Sequence, residues 1–383
     1  MELYIHIPFC KKKCNYCDFA SYVGMENHSE EYIKLLLKEA ATRKKLVMEP
    51  ITTLYIGGGT PSLLPPGNLK KLIEELKNIL PIDRNAEFTA EANPGTLTES
   101  WLNAAAECGV NRLSIGMQSS NPSSLNFLGR IHSFDDVGKT VETAERAGFK
   151  NINIDLIFGF PGHTMEEWKQ TLLDALSLAP KHISAYGLIP EKNTVLGEKI
   201  NNGILNLPEP EEERSMYYFA KELLEERGMK RYEVSNFSFP GFECRHNIGY
   251  WKQVTYIGLG LSASSMHSLN HNKKGLSYIR ETNPSDYRRY SAFVTEKNCI
   301  NNDITYISGR DACFETVMLA LRTDEGIDEK VFSEMHGISL MDYCGEKLLE
   351  FQKKGLISHT ADKWYLTDSG MDIQNMLLVE LLD

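Results

Sequence analysis

Glu2-Leu-Tyr-Ile-His-Ile-Pro-Phe-Cys10-Lys-Lys-Lys-Cys14-Asn-Tyr-Cys17 is the stretch on which the reading of the whole chain turns. Leu3, Ile5 and Ile7 alternate with Tyr4 and His6, the two-residue period of a strand whose faces meet different surroundings. The strand runs at once into Cys10, Cys14 and Cys17. Thiolates are soft ligands that suit iron–sulfur clusters or zinc. A structural zinc wants a fourth ligand, and the only histidines close in sequence are His6 and His28. A cubane held by three cysteines leaves one iron without a protein ligand, and an open metal position means chemistry. Cys10, Cys14 and Cys17 are therefore the expected ligands of a [4Fe–4S] cluster.

Outward from this stretch, apolar runs recur with helical segments between them. Strands are expected near Leu3–Ile7, Thr53–Ile56, Glu87–Glu91, Arg112–Gly116, Asn151–Phe158 and His182–Leu188. Helices are expected near Glu30–Val47, Gly67–Ile79, Thr98–Cys108, Phe134–Ala147 and Met165–Leu178. This alternation argues for parallel βαβ units in an α/β fold. Six units do not close an eight-stranded barrel, so the expected form is an open partial (β/α)6 barrel. Chemistry in such barrels sits at the C-terminal ends of the strands. There lie Cys10 to Cys17, Gly57-Gly-Gly-Thr-Pro61, Glu91-Ala-Asn-Pro94, Gln118 and Asp155.

After a further helix near Glu211–Arg227 the pattern changes. Tyr232–Phe237, Cys244–Trp251 and Tyr256–Met266 read as short strands and loops. From about Ser308 the chain turns helical, at Arg310–Arg322, Asp328–Met335 and Leu340–Lys354, then a hairpin-like Leu356–Leu366 and a last helix at Asp368–Leu381. That order resembles a winged helix without a basic recognition helix, read as structural or partner-binding. The expected division is a barrel over residues 1–230, a small α+β segment over 231–300 and a winged-helix-like unit over 301–383.

The chain has 383 residues, 42% hydrophobic and 24% charged, as in an ordinary globular protein. A net charge of −11 disfavours free nucleic acid, which needs a basic surface. No apolar run is long enough for a bilayer span, although peripheral contact with a membrane stays open. The N-terminus lacks a basic region and a cleavage site, so a cytoplasmic location is expected. Cys108, Cys244, Cys299, Cys313 and Cys344 are scattered and read as buried free thiols.

The cysteine spacing, with Tyr4 before it and Tyr16 inside it, resembles the radical S-adenosylmethionine superfamily. The resemblance implies that S-adenosylmethionine chelates the open iron through its amino and carboxylate groups, and that a cluster electron cleaves its sulfonium. It extends along the chain: Tyr4-Ile-His-Ile-Pro-Phe-Cys10, Gly57–Pro61, Glu91-Ala-Asn-Pro, Gly116-Met-Gln-Ser, Leu128-Gly-Arg-Ile-His132 and Asp155-Leu-Ile-Phe-Gly-Phe-Pro161 stand in the order found in the oxygen-independent coproporphyrinogen dehydrogenase family. By that resemblance Tyr4, Tyr16, Gly58, Gly59, Thr60, Glu91, Gln118, Arg130 and Asp155 would line the S-adenosylmethionine site. Glu91 and Asp155 can accept from hydroxyls or the ammonium, and Arg130 can fork a carboxylate.

Two branches share this barrel: one decarboxylates coproporphyrinogen III, the other, of HemW type, is a haem chaperone. The decarboxylase branch has a further cysteine where this chain has Phe19, and a long segment before the first strand, where Tyr4 already stands. His246-Asn-Ile-Gly-Tyr-Trp251 is similar to the His-Asn-x-x-Tyr-Trp signature of the chaperone branch. Imidazole is a common axial haem ligand, and Tyr and Trp offer flat apolar surface. The resemblance thus implies haem bound near His246, Asn247, Tyr250 and Trp251, with Cys244, His267 and His271 as other conceivable ligands, and an acceptor haemoprotein as partner. Leu261 and Ser264 depart from the family's usual Pro and His. The rival reading is a coproporphyrinogen III dehydrogenase, so whether the chain is an enzyme stays open.

Overall fold

The computed structural model describes residues 1–269, 277–296 and 303–382. Six strands follow one another across a sheet: β1 (Glu2–Ile7), β2 (Ile51–Gly58), β3 (Ile82–Ala92), β4 (Arg112–Gln118), β5 (Asn151–Phe158) and β6 (His182–Gly187). Each pairs parallel with the next. The connections carry α1 (Ser29–Arg43), α2 (Pro66–Ile79), α3 (Glu99–Glu107), α4 (Pro122–Leu128), α5 (Phe134–Arg146) and α6 (Met165–Ser177). Local signals start several of these helices. Thr98 caps α3 by accepting from the Trp101 amide, and capping boxes at Ser133 and Thr164 open α5 and α6.

Strand alternation sorts the side chains into two populations. Leu3, Ile5, Leu54, Ile56, Leu113, Ile115, Ile152, Ile154 and Ile183 are buried in the main apolar core, which the helices share. The alternate positions share the opposite face: Tyr4 pairs with Tyr55, Tyr55 with Thr89, Thr89 with Arg112 and Asn153 with His182. The hydrophobic core therefore lies between sheet and helices, and the inner face of the half-barrel is polar.

The chain continues through α7 (Val195–Asn201) and α8 (Pro210–Glu226) to β7 (Asn236–Ser238), antiparallel to β6. The stretch Cys244–Trp251, expected as strand and loop, is instead helix α9 (Arg245–Trp251). Described parts of the 231–300 stretch, and residues just after it, also join the barrel sheet. β8 (Tyr256–Leu259) lies parallel beside β1, and β9 (Ser264–Ser268), β10 (Ser277–Thr282) and β11 (Asp303–Ser308) follow antiparallel. Among the described residues, and with the short strand Lys230–Arg231 beside β7, the sheet has 12 strands rather than six. The physical reason is the edge of β1: a strand buried on both faces cannot leave a row of backbone groups unpaired.

α10 (Tyr287–Thr295) packs near α1. α11 (Arg310–Ala320), α12 (Glu329–His336) and α13 (Leu340–Lys353), with a three-stranded sheet at Ile327–Asp328, Ile357–Thr360 and Lys363–Leu366, form the winged-helix-like unit around its own apolar cluster. The last helix, expected over Asp368–Leu381, breaks at Ile373 into Asp368–Asp372 and Gln374–Glu380. Among the described residues no helix is long and apolar enough to cross a membrane.

Candidate functional site

A cavity of about 1090 Å³ opens at the C-terminal ends of the strands. It is larger than the usual space for one small ligand. Cys10, Cys14 and Cys17 line it, together with Tyr4, Tyr16, Gly58, Gly59, Thr60, Glu91, Gln118, Arg130 and Asp155. Every residue expected at the S-adenosylmethionine site thus faces one space, from strands far apart in sequence.

The cysteine loop is anchored from several sides. The Tyr4 hydroxyl donates to His6 Nδ1 at 3.0 Å, and His6 Nε2 donates to the Ala20 carbonyl at 2.7 Å. This fixes the neutral tautomer, and burial holds His6 down at about 4. The Asn15 amide donates to the Leu128 carbonyl, and Leu196 N–H donates back to the Asn15 carbonyl at 2.9 Å. Arg130 Nη1 lies 3.5 Å from Cys14 Sγ, while Nη2 donates to Asn93 Oδ1 at 2.5 Å and to the Gly116 carbonyl at 2.6 Å. Thr60 Oγ1 points to Cys10 Sγ at 3.7 Å and accepts from Asn93 Nδ2 at 2.8 Å.

These residues fit an iron–sulfur cluster better than zinc. None of the three cysteines is in a disulfide. Among the described residues no three His, Cys, Asp or Glu side chains converge on a single-ion site. A cubane takes one thiolate per iron, so its ligands stand further apart than those of one ion. Burial pushes the Cys17 thiol up to about 11 and the Cys10 thiol up as well. Thiolates in such a place need compensating positive charge, which iron supplies.

The glycine run makes room for the cluster's neighbour. Gly58 has φ +107°, and a Cβ there would run into the His6 ring. A Cβ on Gly59 would lie 2.7 Å from the Phe9 carbonyl. Backbone passes here because side chains are absent. Beside it, the Glu91 carboxylate accepts from Tyr55 OH at 2.9 Å and from Gly58 N–H at 3.0 Å. Burial, and then the Asp155 charge, push Glu91 up to about 7. Asp155 accepts from Ser114 Oγ and Asn153 Nδ2, each at 2.8 Å. Gln118 holds φ +64° where the β4–β5 register shifts, a strained conformation of the kind that collects at ligand sites.

His246, Asn247 and Tyr250 line the cavity and Trp251 does not. His246 is 1% exposed, with Nδ1 2.7 Å from Thr53 Oγ1 and Nε2 3.0 Å from Tyr250 OH. Its ring stacks on Tyr55, and burial drives it down to about 3. Both ring nitrogens thus have hydroxyl partners in this arrangement. The reason lies in α9, whose first turn is held by the Glu87 carboxylate accepting from the Arg245 and His246 amides, each at 3.1 Å. Cys244 is buried against Glu87, and its thiol is pushed up to about 12. His267 sits in β9, away from the cavity wall. His271 and Cys299 lie outside the described residues, while Cys108, Cys313 and Cys344 are buried, as expected of packed thiols.

Neighbours of the site to which the sequence assigns no role there are His6, Thr53, Tyr55 and Arg280. The first three share the Tyr4 alternation on β1 and its neighbour β2, so period-two reading of the inward face was the signal that would have found them.

Beneath α9, Glu2 is 2% exposed and its Oε2 has no hydrogen-bond partner. A Cβ at Gly249 would strike its carboxyl group, so nothing else fits there. Burial raises Glu2 to about 8. A carboxyl raised in the folded state favours folding while protonated. That stabilisation is complete below its unfolded value, about 4.5, and is lost as pH rises towards 8. Glu2→Gln is expected to melt higher than the wild type at pH 8.5, on the order of a few kcal/mol, with the gap closing by pH 5. Parallel melting curves across that range would contradict this.

Residues 4–175 match the Radical SAM superfamily, and residues 307–373 match the HemN C-terminal domain. A relative from Bacillus subtilis, "Heme chaperone HemW", is 36% identical over 97% of this chain and 96% of its own. The protein of the same name from Escherichia coli is 31% identical over 99% and 97%. The solved coproporphyrinogen III oxidase (HemN) of Escherichia coli superposes with a TM-score of 0.83 at 22% identity, covering 99% of this chain and 89% of that one. At that identity the likeness speaks for the fold.

Proposed function

Because the chain belongs to the heme chaperone HemW family of the radical S-adenosylmethionine superfamily, we propose that it binds haem beside a [4Fe–4S] cluster and hands the haem to an acceptor haemoprotein in the cytoplasm. The observation that carries this reading is agreement over nearly the whole length with relatives named heme chaperones. The cavity supports it: one space, larger than a single small ligand needs, is bordered by the cysteine loop at one end and by α9 at the other.

In this reading Cys10, Cys14 and Cys17 hold the cluster. When bound, it supplies one electron at a time and an iron open to the amino-acid end of S-adenosylmethionine. Gly58, Gly59 and Thr60 let that end approach the backbone. Glu91 and Asp155, with Gln118, offer acceptors to its ammonium and hydroxyls. Arg130 braces the Cys14 loop against β4 through Gly116 and Asn93. Asn247 and Tyr250 face haem, and His246 serves them by holding Tyr250 and Tyr55 in place.

Anaerobically reconstituted protein is expected to give a saturable Soret band on titration with haem. The same sample with reductant, S-adenosylmethionine and coproporphyrinogen III is expected to form no protoporphyrin. Protoporphyrin without a Soret response would replace the chaperone reading with the decarboxylase. His246→Gln is expected to keep the positions of the haem bands, because the ring is not the axial ligand. Displaced bands in that variant would restore it as one.

A further inference from the structure

From Tyr4, next to the anchor of the cysteine loop, a run of aromatic rings extends along the cavity wall. Tyr4, Tyr55, His246, Tyr250 and Tyr256 all line it, and successive ring centroids stand 6.2, 5.2, 4.8 and 4.8 Å apart. Such a wall suits a flat apolar ligand better than a sugar or a nucleotide phosphate. Ser262, Ser264, Met266, Arg280 and Leu319 also line the cavity, and Tyr256 pairs with Met266 across neighbouring strands. Among the described residues lining the cavity from His246 onward, Arg280 is the only charged one.

The other cations on the wall belong to the cysteine loop or to its bracing. Arg130 is spent on Asn93, the Gly116 carbonyl and Cys14. Lys12 and Lys13 stand on the cysteine loop, and Lys13 donates to the Phe19 carbonyl at 3.1 Å. Arg280 is forked by a carboxylate of the chain itself: Nη1 and Nη2 donate to Glu315 Oε1 and Oε2 at 3.1 and 2.9 Å. Glu315 lies in α11 and also accepts from Tyr278 OH at 2.6 Å, so it keeps a donor if the guanidinium turns away. The Arg280 side chain is 35% exposed, which leaves its fork within reach of a ligand in the cavity.

We propose that Arg280 is the carboxylate anchor of the haem site: a propionate of haem lying along the aromatic wall takes its fork in exchange for Glu315. The assignment rests on the haem reading given above. Paired N–H donors in a planar fork match a carboxylate, and a partner already carboxylate-shaped shows that the geometry is set for one.

Haem titration of the reconstituted full-length chain tests this, with iron content, S-adenosylmethionine binding and circular dichroism followed in parallel. Arg280→Met is expected to weaken haem binding about tenfold or more. Glu315→Gln, which weakens the internal competitor, is expected to tighten it. A merely structural ion pair would make both substitutions neutral or harmful. Haem dimethyl ester, which lacks free propionates, is expected to bind wild type and Arg280→Met alike. Equal haem affinity of wild type and Arg280→Met, or weaker binding by Glu315→Gln, overturns the assignment while leaving the haem reading intact. A wild type that binds no haem overturns the haem reading and this assignment with it.

Discussion

Cys14→Ser is expected to leave the protein folded and almost free of iron. Reconstituted wild type should carry about four irons per chain and absorb broadly near 400 nm. The variant should lose nearly all of both. The three thiols are the whole protein share of the ligand set, so nothing nearby takes over when one becomes a hard hydroxyl. Cys14 is the most telling of the three because Arg130 stands 3.5 Å from its sulfur and is itself tied to Asn93 and Gly116. The loop should keep its place through Asn15 and Leu128, which makes loss of iron a ligand effect and not unfolding. Iron and sulfide analysis beside a melting curve separates the two. A variant that retains a full cluster would mean that another group in the cavity ligates iron.

Glu39→Ala is expected to cost about 3–5 kcal/mol of stability. Glu39 is 2% exposed, and four donors converge on its carboxylate: Arg43 Nε at 2.8 Å, Asn283 Nδ2 at 2.8 Å, Tyr290 OH at 2.7 Å and Gly260 N–H at 2.9 Å. Removing it strands the Arg43 guanidinium, 5% exposed, with only Glu281 and Asn283 left to it. A buried charge that loses a partner is penalised far more than the pair contributes. The same carboxylate holds Gly260 at the start of the turn that carries Ser262 and Ser264 to the cavity. Haem binding should therefore weaken along with the melting temperature. Denaturant unfolding with an unchanged midpoint would show that the network contributes little.

Much of the half-barrel is legible because its signals are local. Helix α5 starts at Phe134 and β5 spans Asn151–Phe158, as the apolar periodicity requires. The C-terminal helices begin within a residue or so of their expected starts for the same reason. Short α4 went unread although Asn121 caps it, Pro122 begins it and Gly129 ends it left-handed. Its seven residues give too little periodicity to stand out. Helix α9 is a different case. Its N-terminus is held by Glu87, which lies on another strand, so no window around Cys244–Trp251 contains the cause of its helicity. The site divides along the same line. Cysteine spacing and glycine runs are written in short stretches, whereas Arg280 and Glu315 meet only once β10 and α11 have packed. His246 shows the limit of a motif: its residue type allows an iron ligand, and its surroundings give both nitrogens hydroxyl partners.

The strand order has a consequence for how the protein folds. β1 lies between β2 and β8, so Glu2 pairs with Tyr256, a residue far later in the chain. Contacts that close so long a stretch of chain form slowly, because the loop entropy is lost before the contact repays it. The cysteine loop follows β1 directly, so the strand that carries it stays unpaired on one side until Tyr256–Leu259 is in place. A settled seat for the cluster thus depends on residues at both ends of that span, and a fragment ending before residue 256 is expected to carry the thiols on a strand with one open edge.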